Sequence, residues 1–454
     1  MSKFCAVILA AGQGTRMKSN LLKVMHRVSN KPLIEWVYDA CSKAGSEKTV
    51  MVIGHNREQV IAHMGEDKTY AVQEERLGTG HAVLCAKPAF SDYAGTIVVL
   101  NGDTPLLSEH LIRSAVAHHE QSGNRATVIT AVLDDPAGYG RIVKDADGNL
   151  LKIVEKKDAT EAETKIAEIN SGMYCFDAKA LFMALKKVGN NNAQGEYYLT
   201  DTISVLKSEH QKVGVYTVSN PDEILGVNDR MDLAAAQKIK NAQILEKHMK
   251  NGVTIIDPNN TYIDEEVEIG QDTVVYPNSF LKGESKIGKN CEIGPGANIT
   301  NTKIGDGVKF LNSVAVDAKI GTGTTVGPFA YIRPKSDIGE KVKIGDFVEV
   351  KNSVIGNGTK ISHLTYVGDS DVGQNINFGC GTITVNYDGK NKFRTVIEDN
   401  AFIGCNTNLV APVKVNKNAF IAAGSTITED VDADSLAIAR CRQTVKKDWR
   451  KNKK

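Results

Sequence analysis

The chain has 454 residues, of which 41% are hydrophobic and 24% charged, with a formal net charge of +1. Such a length and composition suit two or three globular domains, and a near-neutral charge excludes the basic footprint of a nucleic-acid-binding protein. No apolar run approaches the roughly 18 residues of a membrane span, and eight cysteines without C-x-x-C pairs or zinc spacing to histidine predict reduced thiols and a cytoplasmic protein without membrane insertion.

An apolar run from Ala6 to Ala11 leads directly into Gly12-Gln13-Gly14-Thr15-Arg16. Lys3 followed by Phe4 to Ala11 imitates a signal peptide only poorly, because the glycine loop follows at once. A strand that ends in such a loop presents successive backbone N–H groups to an anion. The loop matches neither the dinucleotide fingerprint nor the P-loop pattern. Arg16 supplies a planar charge that grips phosphate oxygens, and Lys23 adds a point charge. This set suits a nucleoside triphosphate whose phosphates undergo attack.

Strand-like runs recur as CAVILA, KTVMVIG, TIVVLNGD and ATVITAVL, separated by the helical patterns PLIEWVYDACSKAG and HLIRSAVAHHEQSG. The alternation predicts an α/β, Rossmann-like domain over 1–227, with a mostly parallel sheet covered by helices on both faces. Ligands in such sheets sit at the carboxyl ends of the strands. Asp103 closes TIVVLNGD at such an end, where a carboxylate can hold Mg²⁺ together with substrate phosphates. A second glycine turn, Gly78-Thr79-Gly80, lies in QEERLGTGHA.

Residues 229–250 read as one helix capped by Asp229, within a helical linker over 228–251. From 252 to 454 the period becomes six. Ile263, Ile269, Val275, Leu281, Ile287, Ile293 and Ile299 begin the series, and Ile397, Ile403, Leu409, Val415, Ile421 and Ile427 close it. Sustained hexads are the signature of a parallel β-helix. The polar stretch Val385–Val396 breaks the period and predicts a loop leaving the coil. His363 is the one histidine of this region, and an imidazole is the side chain suited to proton abstraction at neutral pH. Arg333 and Lys351 are bases on coils that need none for structure, with Tyr366, Asn377, Asn386 and Tyr387 as further polar groups. The last nine residues, KKDWRKNKK, hold six basic residues and one acid, a tail suited to the phosphates of a ligand.

The motifs LAAGQGTRM, GTGHA, NGD, GYGRI, IVEKKDA, EINSGMY and GVNDR occur in the order seen in sugar-1-phosphate nucleotidyltransferases. The chain resembles most the GlmU family of bacterial N-acetylglucosamine-1-phosphate uridyltransferases and glucosamine-1-phosphate N-acetyltransferases, and the resemblance covers nearly its whole length. It implies a left-handed hexapeptide-repeat β-helix, a homotrimer, Mg²⁺, and the substrates UTP, N-acetylglucosamine 1-phosphate, glucosamine 1-phosphate and acetyl-CoA. It implies that Leu9, Ala10, Ala11, Gly12 and Gly14 cradle the nucleotide, and that Arg16 and Lys23 neutralise phosphates. Gln73, Gly78 and Thr79 would read uracil. Gly140, Glu155 and Asn170 would hold the sugar, and Asp103 and Asn228 the metal.

In the β-helix the resemblance implies Arg333, Lys351, Tyr366 and Asn377 for glucosamine 1-phosphate and His363 as general base. Asn386 would orient the histidine or the amine. Acetyl-CoA would lie along Cys380, Asn386, Tyr387, Cys405, Ala423 and Arg440; apart from the resemblance, the charge of the basic tail suits either a solvated end or closure on the CoA phosphates. Two departures stand out. The family usually carries proline before the lysine, where this chain has Leu21-Leu22-Lys23, which puts the placement of Lys23 at issue. It often has alanine and serine where Cys380 and Cys405 stand. Two other readings share these folds: a monofunctional nucleotidyltransferase with a structural β-helix, and one whose β-helix binds a regulatory ligand.

Overall fold

The computed structural model describes residues 3–136, 138–192 and 194–451. It divides into two compact units, 1–240 and 241–454.

The first unit is built on a nine-stranded sheet. Its strands are β1 Phe4–Leu9, β2 Ser46–Ile53, β3 Thr69–Val72, β4 Thr96–Asn101, β5 Ala126–Val132, β6 Gly140–Lys144, β7 Leu150–Val154, β8 Glu168–Asp177 and β9 Val213–Thr217. The main order is β9-β5-β8-β4-β1-β2-β3, with the β6–β7 ribbon attached to β8. Along β1, Phe4, Ala6 and Ile8 face one core while Cys5 and Val7 face another. Both faces are therefore covered. Helices Leu33–Ala44 and Glu109–Gln121 lie on one face, and Thr79–Cys85 and Ala178–Leu185 on the other.

The sheet is mixed rather than mostly parallel around its centre. β8 runs antiparallel to both β4 and β5. Between β5 and β8 the chain forms the β6–β7 ribbon and the short helix Glu161–Thr164, and β6 pairs antiparallel with both β7 and β8. β1 pairs in parallel with β2 on one side and β4 on the other. Its carboxyl end therefore opens on the crevice where the strand order reverses, the usual ligand position in such sheets.

The helix Arg230–Lys250 matches the predicted 229–250, and the Asp229 carboxylate accepts from the backbone N–H groups of Met231 and Asp232 at 2.8 and 3.0 Å. Leu233 and Ala236 pack in the first unit with Val28 and Trp36. Ile244 and Leu245 belong to the core of the second.

The second unit has three all-parallel sheets of 11, 10 and 9 strands. Successive coils stack like on like: Val275, Ile293, Phe310, Val326, Ile344, Ile361, Phe378, Ile403 and Ile421 form one file of in-register partners. All are buried. This is the left-handed parallel β-helix of hexapeptide repeats: no hexad buries its aliphatic residue without its neighbours. The excursion at the break in period is shorter than the sequence suggests. Val385 and Thr395–Ile397 remain in strands, and residues 386–394 leave the coil.

Candidate active sites

The first site is assembled at the ends of β1 and β4. Gly102 N–H donates to Leu9 O at 2.9 Å and Ala10 N–H to Val52 O at 2.8 Å, so the Leu9 carbonyl and the Ala10 amide are spent on the sheet. Ala11 and Gly12 line a cavity of about 360 Å³ together with Arg76, a third cation that the sequence reading did not single out. Gly14 has φ +63°, and a Cβ there would lie 2.4 Å from Lys23 Cβ, so only glycine lets Lys23 close over the loop.

Lys23 keeps the backbone a proline would impose before it. Leu22 has φ −57°, close to the proline value. The amide that proline would lack donates to Gln59 Oε1 at 3.1 Å. The departure from L-P-K thus exchanges ring rigidity for a hydrogen bond.

Four predicted residues converge. Lys23 Nζ pairs with the Asp103 carboxylate and lies 3.5 Å from Asn228 Oδ1. Arg16 donates to the same Asn228 oxygen at 2.9 Å. Asn228 is held by its own N–H donating to Asp232 Oδ2 at 2.9 Å, and Val227 N–H donates to Asp103 O at 2.9 Å. The Asp103 and Asn228 oxygens therefore face one point already held by a positive charge. That donor set fits Mg²⁺, which takes one or two protein oxygens and completes its shell with water and substrate phosphate. Among the described residues there is no cluster of three His, Cys, Asp or Glu that could hold a metal unaided.

A second cavity, of about 380 Å³, is lined by Thr79, Glu155, Asn170 and Tyr198. Gly140 adjoins it, since a Cβ there would lie 3.5 Å from Glu155 Oε1. Burial, then the nearby Asp158 and Asp201 carboxylates, raise Glu155 above the usual carboxylate range. The Asn170 amide donates to Tyr174 Oη at 3.0 Å, which fixes its orientation. Gln73 is buried, and its amide donates to Gly78 O at 3.0 Å. It stands behind the Gly78–Thr79 turn and shapes it. The Thr79 hydroxyl accepts from Leu199 N–H at 3.0 Å.

The second site lies on the β-helix. The register of Ile344, Ile361, Phe378, Ile403 and Ile421 puts Asp346, His363, Cys380, Cys405 and Ala423 at one position of five successive coils, two residues past the core side chain. His363 thus heads a file that runs along the predicted acetyl-CoA residues. Three coil steps of roughly 4.8 Å make it about 14 Å long from His363 to Ala423. Arg440 follows, its Cδ 3.9 Å from where a Cβ on Gly424 would lie. Asn377 lies on the same sheet, one residue before Phe378.

On the adjoining sheet, Arg333 and Lys351 follow the in-register core residues Ile332 and Val350 and so stack in successive coils. Arg333 Nη1 donates to Glu349 Oε1 at 2.7 Å. Lys351 Nζ donates to Asp369 Oδ2 at 2.9 Å, and the Asp369 side chain is only 6% exposed. Asn352 and Asn386 also donate to Asp369, and Asn386 reaches Tyr366 Oη at 3.3 Å. Burial alone would raise the Asp369 pKa; these three partners more than offset it and leave it lowered. Lys392, on the excursion, lies beside Lys351; a hydrogen bond between the two side chains, then the Lys351 charge, depresses its pKa, with Arg333 adding to the effect. Arg333 thus pairs with Glu349 and Lys351 with the buried Asp369, with Lys392 beside Lys351. Tyr387, by contrast, turns its hydroxyl to Gly389 O at 2.6 Å and is exposed.

Glu349, Asp369, Lys392 and Asp346 were missed by the sequence reading. Glu349 and Asp369 each stand a coil from a predicted cation. A search for acids one coil period from Arg333 and Lys351 would have found both.

A family model for nucleotidyl transferases matches residues 5–220. One for bacterial transferase hexapeptide repeats matches 266–301 and 394–429. The chain is similar to the bifunctional protein GlmU of Acetivibrio thermocellus, at 57% identity over 449 residues, 99% of this chain and 97% of that protein. Its similarity to the proteins of the same name from a Geobacillus species and Clostridioides difficile is 55% and 52%, over 99% of this chain and 98% of each of them.

Proposed function

The chain belongs to the GlmU family of bifunctional enzymes, and from that premise we propose how its two sites divide the work. The enzyme transfers an acetyl group from acetyl-CoA to glucosamine 1-phosphate on the β-helix. It transfers a uridylyl group from UTP to N-acetylglucosamine 1-phosphate in the α/β unit, releasing pyrophosphate. The product, UDP-N-acetylglucosamine, serves cell-wall synthesis.

In the α/β unit the sugar phosphate is already an ionised nucleophile, so catalysis rests on positioning and charge neutralisation. Asp103 and Asn228 would hold Mg²⁺, which when bound would draw negative charge from the triphosphate. Arg16 and Lys23 leave the acid and amide for the phosphates. The turn at Gly78 and Thr79, backed by Gln73, takes the uracil, and Gly140, Glu155 and Asn170 take the sugar.

On the β-helix, Arg333, Lys351 and Lys392 bind the sugar phosphate, with Tyr366 and Asn377 against the ring. His363 accepts a proton from the attacking ammonium. The freed amine forms the C–N bond and releases its second proton to solvent, the thioester C–S bond breaks, and the proton held by His363 passes to the departing thiolate. Cys380, Cys405 and Ala423 line the path of the pantetheine arm, while Arg440 and the basic tail face the CoA phosphates. The observation that carries this reading is the single file from His363 to Ala423 along successive coils.

A homotrimer is supported by one further feature. Phe329, Phe347 and Leu364 stand 57–58% exposed at successive corners, the last two each one residue past Asp346 and His363. An apolar ridge beside a catalytic group calls for cover, and a second copy of this chain would supply it. The absence of any described helix long and apolar enough to cross a membrane is in keeping with small, soluble substrates.

The test is release of CoA thiol from acetyl-CoA and glucosamine 1-phosphate, without UTP, by wild type and His363→Ala. We expect a fall of about 10²- to 10⁴-fold, with uridylyl transfer retained. No release by the wild type would reduce the β-helix to scaffold or sensor.

A further inference from the structure

His363 is not alone on its coil face. Asp346 ends strand Lys343–Asp346, His363 ends strand Lys360–His363, and the two residues are in-register partners on adjacent coils. The Asp346 carboxylate lies 2.8 Å from His363 Nδ1. We propose that Asp346 is the positioning residue of acetyl transfer, fixing the ring orientation and tautomer of His363 so that Nε2 presents its lone pair to the substrate ammonium. The inference rests on the acetyl-transfer reading of this site.

The chemistry runs one way. An ionised carboxylate has no proton to give, so the bond requires the proton on Nδ1. Neutral imidazole carries a single N–H, which leaves Nε2 as acceptor. Asp346 is ionised at neutral pH: the hydrogen bond from His363 holds its carboxyl below the usual range. When Nε2 takes the substrate proton, the ring becomes a cation beside a carboxylate already in place, which stabilises the charge the reaction creates.

The arrangement also meets a problem set by the fold. Within its own chain the His363 side chain is 59% exposed, so its own coil does not pack the ring. A hydrogen bond from the preceding coil is the restraint available, and the rigid stacking of coils sets its length. Asp346 itself touches no predicted substrate group, being one coil before His363 on the side away from Cys380.

The test uses the full chain and steady-state acetyl transfer by wild type, Asp346→Ala, Asp346→Asn, His363→Ala and the double variant His363→Ala with Asp346→Ala. Uridylyl transfer by the same preparations reports folding. Asp346→Ala should lower kcat by about 10- to 100-fold while KM for acetyl-CoA and glucosamine 1-phosphate stays within about 2-fold. Asp346→Asn keeps an oxygen that accepts from Nδ1–H and should recover part of the rate. In the His363→Ala background the loss of Asp346 should cost nothing more, since there is no ring left to orient. Unchanged kcat in Asp346→Ala beside an inactive His363→Ala would overturn the role of Asp346 and leave that of His363 standing. An equal further loss in the double variant would assign Asp346 a merely structural part. Full activity of His363→Ala would remove the proton acceptor itself, and Asp346 with it.

Discussion

Lys23→Ala should make the free enzyme bind a divalent cation more tightly. Lys23 Nζ sits on the Asp103 carboxylate, with the two side chains only 15% and 17% exposed, and Arg16 sits on Asn228 Oδ1 at 2.9 Å. The oxygens proposed for Mg²⁺ are thus already neutralised by the cations proposed for the phosphates. A metal ion arriving without nucleotide must displace the ammonium or share the carboxylate with it. Unit charges 4 Å apart interact by roughly 4 kcal/mol at an effective dielectric of about 20. Lys23 has a flexible stem and swings aside, so the net cost is the lost pair. For a pair between the exposed and buried limits this is roughly 1–2 kcal/mol, or about tenfold in affinity. With UTP present the triphosphate offers both cations a new partner and the cost disappears. The assay is electron paramagnetic resonance of free Mn²⁺ titrated against protein without nucleotide, with Asp103→Asn as the variant that should not bind. Lys23→Ala should bind Mn²⁺ about ten times more tightly than wild type, while uridylyl transfer falls by about 10²- to 10³-fold. Unchanged or weaker Mn²⁺ binding by Lys23→Ala would refute the exchange of partners.

His119 sets an acid limit on the α/β unit. It is 3% exposed, its Nδ1 lies 2.9 Å from Thr127 Oγ1, and burial pushes its pKa down to about 4. Glu120 and Asp177 act to raise it, but less than burial lowers it. Above the unfolded value of about 6.5 both states are neutral and the group contributes nothing. As pH falls from about 6.5 towards 4 the unfolded chain takes up a proton that the folded one does not, and stability is lost, by roughly 2–3 kcal/mol at pH 4.5. Urea unfolding followed by the buried Trp36 should show wild type losing that much more than His119→Gln between pH 7 and 4.5; parallel profiles would count against it. Gly78→Ala should damage one reaction only. Gly78 has φ +100°, and a Cβ would lie 2.6 Å from Tyr197 O. Strain of about 1–3 kcal/mol plus that contact should shift the turn, raising the KM for UTP about tenfold or more and leaving acetyl transfer unaltered. A fall in both activities would contradict the independence of the sites.

The two folds were legible because their causes are local and periodic. β1 shows its two-faced burial in six residues, and the hexads spell out the β-helix because each inward residue must repeat to stack. The catalytic candidates Arg16, Lys23, Asp103, Arg333, Lys351 and His363 were legible as charged or titratable side chains in places where structure asks for none. The antiparallel β8 was not: strand direction depends on how the chain is threaded through the assembled sheet, and composition does not record it. Nor were the acids visible. Asp346, Glu349 and Asp369 look like ordinary turn and strand residues until each is set against the residue one coil away, and which side chains then meet is a tertiary property. Periodicity determined that the chain folds as a helix of coils. Stacking alone decided that Asp346 meets His363, that Asp369 is buried beneath Lys351, and that Asn228 comes back across the sheet to Arg16 and Lys23.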